Sequence, residues 1–441
     1  MKRASQSARP RHAGKLVLFL ATAGVLVVSL GSIDRTKNSS VPISEVAKPA
    51  DSFVDSIGVN LHIHYLDTSY GHFDMIKSKL TELGVRHARD GAQLTATDAN
   101  YDKLVYGRMR QLSDAGVRFD LIVDPRAITP LTADKLAHIA ELGGPALESL
   151  EGPNEYDNSG NKDWAKDLRA YQQQLYDLAK AENATKHLAI LGPSLIHPES
   201  REKLGDISAD MDYANVHCYP GGKDPLTHLD QELAMSKEVN GAHAILPTET
   251  GYHTATHGST GHPGVSEAAA GKYVPRLFLE YFNHGFSRSY LYEFADEKPD
   301  PEGKDPEQSF GLIRADGSEK PAYDSMKNLI ALLEDPGKPF QPTKFEYTLR
   351  GDISNIDHAL LQKRNGKFYL ILWNETSSYN TLLKTDLNVS SRSLTLDFGR
   401  PIREANVYMP SRSISTIARN SNVRSITLQV PDHPLVVEIM E

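Results

Sequence analysis

The chain has 441 residues, 39% of them hydrophobic and 24% charged, and a formal net charge of −9. That length suits one large domain with a smaller companion, and the acidic balance argues against nucleic acid, which wants a basic surface. A single cysteine, Cys218, rules out an internal disulfide and a cysteine-rich metal site.

Lys2, Arg3, Arg9, Arg11 and Lys15 precede an apolar run from Leu16 to Leu30. A basic segment followed by such a run reads as an export signal, with Ser29-Leu30-Gly31 as a small-x-small cleavage site, or as an uncleaved membrane anchor. No cysteine follows it, which excludes a bacterial lipoprotein. Residues 1–31 are therefore expected to be signal or anchor, and the rest to be secreted, periplasmic or anchored outside the cytoplasm. Residues 32–51, rich in Ser, Lys and Pro, read as a flexible linker. Asn38, Asn183, Asn374 and Asn388 begin N-x-Ser/Thr triplets, relevant only in a eukaryotic host.

Short β-rich runs then alternate with helical patterns. The predicted strands are Ile57–Ile63, Val85–Arg89, Phe119–Asp124, Leu147–Glu151, Leu188–Pro193, Tyr213–His217, Ala244–Thr248 and Ser289–Phe294. The predicted helices are Phe73–Leu83, Tyr101–Ala115, Thr132–Leu142, Asp163–Ala181, Val265–Asn283 and Ala322–Leu333. Alternating βα units imply a parallel sheet, and eight strands suit a closed (β/α)8 barrel over residues 52–338. Gly84 and Gly116 mark helix-to-strand returns. No G-x-G-x-x-G follows a strand, which speaks against an open dinucleotide-binding sheet.

Past Asp335-Pro336-Gly337-Lys338-Pro339 the pattern becomes alternating. Phe345–Leu349, His358–Lys363, Phe368–Trp373, Ser393–Phe398, Ala405–Tyr408, Ser425–Val430 and Leu435–Ile439 follow one another without a convincing helix. Asn365-Gly366 is a tight hairpin signal. Residues 339–441 thus read as a small antiparallel β-sandwich.

Barrel enzymes place their chemistry at the C-terminal ends of strands. Strand four leads into Asn154-Glu155 and strand seven into Glu249. Two carboxyls facing each other across a barrel mouth are what acid-assisted glycoside cleavage needs, one as proton donor and one as nucleophile. Arg89, ending strand two, is placed to hold the nucleophile ionised. His217 and Tyr219 share a face after strand six, the phenol available to Glu249 and the imidazole to a sugar hydroxyl. His62 and His64 share a face after strand one and suit sugar hydroxyls, a metal or simple packing. Tyr292 and Phe294 of strand eight offer rings for stacking on a sugar, with Tyr156, Trp164 and Tyr252 as further candidates. Residues 258–264 read as a mobile loop over the site.

These residues together resemble glycoside hydrolase clan A, the retaining (β/α)8 glycosidases that include families 5 and 39. The resemblance rests on Asn154-Glu155, Glu249, the G-x-R-x-x-R run ending at Arg89, His217-x-Tyr219, and the stretch from Phe310-Gly311-Leu312-Ile313 to Pro321-Ala322-Tyr323. It covers residues 52–334, and a barrel followed by a small sandwich is similar in outline to family 39. It implies Glu155 as acid/base, Glu249 as nucleophile, Asn154 as partner of the sugar 2-hydroxyl, a carbohydrate substrate and no metal or organic cofactor. Strand eight lacks the tryptophan that many members place under the reacting sugar. Trp164 and Trp373 are the only tryptophans, few for a long polysaccharide cleft.

Two other readings compete. A metal-dependent barrel of the amidohydrolase type would use His62-x-His64, His197, His217 and Asp296, but strand four then lacks its bridging group and Glu249, Arg89 and Tyr219 have no role. An inactive secreted barrel would keep a sugar-binding groove without turnover.

Overall fold

The computed structural model describes residues 39–94, 99–258 and 262–441. The apolar run Leu16–Leu30, most of the expected linker up to residue 38, Asn38, and residues 259–261 of the expected site loop lie outside the described residues. Among the described residues, no helix is long and apolar enough to cross a membrane.

Eight parallel strands form the barrel: Ile57–Asn60, His87–Gly91, Arg118–Ile122, Leu147–Glu151, Ala189–Leu191, Ala214–His217, Ile245–Glu249 and Ser289–Leu291. They are numbered one to eight below. Hydrogen bonding runs in the order eight-one-two-three-four-five, and six pairs with seven. Parallel bridges Leu191–Tyr213 and Thr250–Leu291 close the two remaining gaps. The helices Phe73–Leu83, Ala99–Asp114, Ala133–Gly143, Trp164–Ala181, Glu267–Asn283 and Pro321–Leu333 surround it. Each has an apolar stripe, such as Ile76, Leu80 and Leu83 in the first, that is buried in the barrel core. Gly84 ends that helix at φ 82° and Gly116 turns the chain at φ 99°, backbone that a side chain rarely adopts.

Three helices have no counterpart in the sequence reading: Ala50–Asp55, Ser200–Leu204 and Leu229–Asn240. Two are too short to show a period, and the third carries Asp230, Glu232, Lys237 and Glu238 around a narrow apolar edge. Strand eight ends at Leu291, three residues earlier than expected.

The second layer is antiparallel. Its strands are ordered 39–46, 344–351, 392–409, 435–440, 368–374, 356–362 and 48–49, with 413–430 on the flank of 392–409. Strand Arg392–Met409 pairs through Leu394–Asp397 with one neighbour and through Glu404–Tyr408 with another. A register break between Asp397 and Ile402 bends it there, so the sheet folds over its own apolar face. Phe345, Leu370, Leu396 and Val437 fill the space between.

The linker reading fails for residues 39–49. Ser39–Val46 pairs along its whole length with Lys344–Gly351, and Lys48–Pro49 runs parallel to Leu361–Gln362. Ile43 and Glu45 are half-buried between exposed Pro42, Ser44 and Val46, but no apolar alternation in the residues themselves marks the strand. The layer is tied to the barrel through helix Glu267–Asn283. Buried Arg276 bonds Glu375 and the Thr376 carbonyl (2.9 Å), and Trp373 Nε1 donates to Glu280 Oε1 at 2.9 Å.

Candidate active site

Inward-facing positions near the C-terminal ends of the strands are polar, where a purely structural barrel would be apolar. Asn60, Arg89, Asp120, Ser149, Glu151, Asn215, Thr248 and Glu249 are all buried. Their hydrogen bonds run across the barrel from strand to strand.

Arg89 is the hub. Its Nε and Nη2 grip the two oxygens of Glu151 at 2.8 and 2.6 Å. Nη1 reaches Glu249 Oε1 at 2.6 Å and Asn60 Oδ1 at 2.9 Å, and Nη2 also donates to Asn154 Oδ1 at 2.7 Å. A planar guanidinium with five donors suits this fork, and a lysine would not. Burial disfavours its charge, but Glu151 and Glu249 outweigh burial and hold the guanidinium protonated.

Glu249 completes its shell with the Tyr219 hydroxyl, which donates to Oε2 at 2.8 Å. Burial pushes this carboxyl upward, yet His217, Arg89 and Tyr219 together hold it below the ordinary glutamate range. His217 answers in kind. Its own burial opposes protonation, and Glu249 and Glu155 raise it above the ordinary histidine range regardless.

Glu155 stands just past the end of strand four with φ 44°, uncommon for a residue with a side chain. Two loops hold it there, those after strands three and five. Its N–H donates to Ser194 Oγ at 3.0 Å, the Asn154 N–H donates to Asp124 Oδ2 at 3.1 Å, and Arg126 bonds the Asn154 carbonyl. One oxygen of Glu155, one of Glu249 and a nitrogen of His217 lie within 4.8 Å of one another.

The carboxylates border a cavity of about 560 Å³. His62, His64, Arg89, Asn154, Tyr219 and Tyr292 line it too, as the sequence reading expected. Tyr65 and Phe310 add rings, and Asp124, Arg126 and Glu307 add charge. Arg126 is matched by a two-pronged contact to Asp124 at 2.8 and 2.6 Å, and Tyr292 donates to Glu307 at 3.2 Å. The His64 ring is held by Asp90 at 3.0 Å.

Five expectations are corrected. Phe294 is fully buried in the barrel core, because the chain leaves the strand at Leu291 and the alternation of faces stops. Trp164 and Tyr252 are buried elsewhere, the first in a satellite cluster and the second stacked on Tyr273. His217 does not offer an imidazole to a sugar. Its Nδ1 faces Glu155 at 2.8 Å and its Nε2 faces Thr248 Oγ1 at 3.2 Å, so both ring nitrogens are taken. Tyr156 lies beside Arg126 and does not line the cavity.

The amidohydrolase ligand set is not assembled. Asp296 is paired with Lys320 at 2.7 Å, His64 with Asp90, and His197 is exposed. Glu151, Asn60, Asp124, Arg126 and Glu307 were not anticipated. Only Glu151 carried a signal, a charged residue in the same alternating register as Leu147 and Ser149 at the C-terminal end of strand four.

No family model matches the chain, and no curated protein matches it by sequence. Solved structures do. A glycoside hydrolase of family 39 from the gut symbiont Bacteroides cellulosilyticus superposes with a TM-score of 0.58 at 13% identity, over 89% of this chain and 81% of that one. The shared fold is a (β/α)8 barrel with a β-sandwich. A family 39 enzyme from Xanthomonas axonopodis pv. citri is similar at a TM-score of 0.59 and 13% identity, covering 90% of this chain and 95% of its own. A monomeric β-xylosidase from Caulobacter crescentus matches at 0.57 and 14%, covering 90% and 97%. The chain thus adopts the barrel-and-sandwich fold that these enzymes share.

Proposed function

We propose that the protein is a retaining glycoside hydrolase that cleaves an O-glycosidic bond of an oligo- or polysaccharide. The observation that carries this reading is the approach of Glu155 and Glu249, whose nearest side-chain oxygens lie within 4.8 Å. Retaining enzymes keep their carboxyl groups about 5–5.5 Å apart, and inverting ones need about 6.5–9.5 Å to admit a water.

In this reading Glu249 is the nucleophile. It is ionised by Arg89, His217 and Tyr219 and attacks the anomeric carbon. Glu155 protonates the leaving oxygen, then takes a proton from the water that releases the sugar from Glu249. Asn154 spends its carbonyl oxygen on Arg89, which leaves the amide hydrogens for the sugar 2-hydroxyl. The rings of Tyr65, Tyr219, Tyr292 and Phe310 supply stacking surface. Both arginines of the cavity are paired with carboxylates, Arg89 with Glu249 and Arg126 with Asp124, which favours a neutral sugar over an acidic one. The solved neighbours named as a β-xylosidase and as a family 51 α-L-arabinofuranosidase make pentosides the first substrates to try. Secretion or membrane anchoring through residues 16–30 belongs to the same reading.

The test is turnover of a panel of aryl glycosides by the wild type, Glu155→Gln and Glu249→Gln. Loss in both variants, with azide restoring a glycosyl azide of inverted anomeric configuration in Glu249→Ala, supports double displacement. Wild-type activity that survives both substitutions sinks it.

A further inference from the structure

A second cluster in the cavity wall takes no part in the chemistry above. The Nε2 of His62 is buried with no hydrogen-bond partner. It lies 3.4 Å from Glu293 Oε2, which also accepts from the Tyr70 hydroxyl at 2.8 Å. Glu293 is fully buried, and its Oε1 has no partner at all. Glu297 follows four residues on. One donor atom from each of His62, Glu293 and Glu297 lies within 4.8 Å of the others. A buried carboxyl with an orphaned oxygen, facing an orphaned imidazole nitrogen, costs stability unless something satisfies both.

Two other clusters are as tight and show what a filled arrangement looks like. Around Glu155, His217 and Glu249 both ring nitrogens are engaged, and Glu249 is satisfied by Arg89 and Tyr219. Around Glu280, Asp357 and Glu375 the guanidinium of Arg276 and the indole of Trp373 supply the donors. Among the described residues, only the cluster at His62 combines close metal-ligand atoms with unpartnered ones from two of its members.

We propose that His62, Glu293 and Glu297 hold a divalent first-row cation, Zn²⁺ or Mn²⁺, in the wall of the cavity. One imidazole with two carboxylates suits these ions, whereas Ca²⁺ asks for about 6–8 oxygens. Metal–ligand distances of about 2.0–2.2 Å require the three side chains to draw together slightly, which the partly exposed Glu297 permits. Three protein ligands leave a coordination position for water or a substrate hydroxyl, and His62 lines the cavity. The ion would also fix the stretch that carries Tyr292. Binding is separate from hydrolysis and is measured without a glycoside.

The full chain, stripped with chelator, is titrated with ZnCl₂ or MnCl₂ alone by calorimetry, and bound metal is counted after dialysis. One equivalent bound at micromolar Kd is expected. Loss of a merely supporting group costs metal sites about 10–100-fold in affinity, so Glu297→Gln and Glu293→Gln should cost at least that. Glu302→Gln, an exposed acid five residues further along the chain and outside the cluster, should change nothing. Thermal melts without metal check that each variant folds, and Glu297→Gln decides if Glu293→Gln does not. No saturable binding by the wild type below about 1 mM overturns the proposal. So does binding of normal strength in Glu297→Gln, which would put the ion elsewhere.

Discussion

His217 Nδ1 lies 2.8 Å from an oxygen of Glu155 and 3.4 Å from an oxygen of Glu249. One buried ring therefore touches both carboxylates of the cavity from beneath. It is the closest thing in the site to a shared proton reservoir, and its second nitrogen is anchored by Thr248.

Replacing His217 by Asn should lower kcat and move the acid limb of the kcat/KM profile to higher pH. Burial raises the Glu249 carboxyl, and His217 is the largest influence that lowers it. Without the imidazolium, Glu249 takes up its proton at a higher pH, so the ionised nucleophile is lost earlier on acidification. A pH–rate series on both proteins checks this. An unmoved acid limb would mean that Glu249 does not control it.

Arg89→Met should be a stability variant as much as an activity variant. It strands Glu151 fully buried beside Asp120 and leaves Glu249 without its guanidinium. Removing one partner of a buried ion pair costs about 3–5 kcal/mol, which urea unfolding would register. Arg89→Lys should recover part of the loss, because it keeps the charge and forfeits the fork.

Tyr219→Phe isolates one hydrogen bond. The ring still meets Phe310 and His262, so the fold should hold. Only the hydroxyl on Glu249 Oε2 is lost, a bond to a charged group worth about 1.5–3 kcal/mol. A decrease of about 10–100-fold in kcat/KM is expected, with a fall of only a few degrees in melting temperature.

Glu280 makes the barrel–sandwich contact sensitive to pH. Burial, then Asp357 and Glu375, push its carboxyl up to about 8 against an ordinary 4.5. The folded state holds the proton that the unfolded chain releases. That contribution is complete below the ordinary value and is lost as pH rises through about 8. Glu280→Gln keeps an oxygen for Trp373 Nε1 and has no proton to lose. It should stabilise by on the order of 2 kcal/mol near pH 9 and by little near pH 5. Melting curves at the two pH values settle it, and an equal effect at both would refute it.

Removing residues 39–46 should lower the melting temperature, although a linker would be dispensable. Eight residues of that strand pair with Lys344–Gly351, and Tyr347 donates to Glu45 at 2.7 Å.

Much of this protein is written locally. A strand of period two or a helix of period 3.6 shows its type in ten residues, which is why Leu147–Glu151 and Phe73–Leu83 were read with their observed bounds. Glu155 and Glu249 were legible for a related reason. In a parallel barrel all strand ends point to one face, so chain order alone brings strands four and seven to the same mouth. Phe294 was misread by the same logic, since alternation holds only while the strand lasts. The segment 39–46 was missed because its partner lies about three hundred residues away, and nothing nearby announces an edge strand.

The sequence by itself determined the order of the elements, the barrel and its antiparallel companion, and which strand ends carry acids. Those depend on periodicity and on the handedness of βα units, both properties of short stretches. Only the tertiary structure decided that Arg89 divides its guanidinium between Glu151 and Glu249, that His217 lies beneath both carboxylates, and that His62 faces Glu293. Each of those joins residues 32 to 231 positions apart across the barrel. Ångström-scale contact between side chains on different strands depends on strand stagger and rotamer, and no local pattern encodes either.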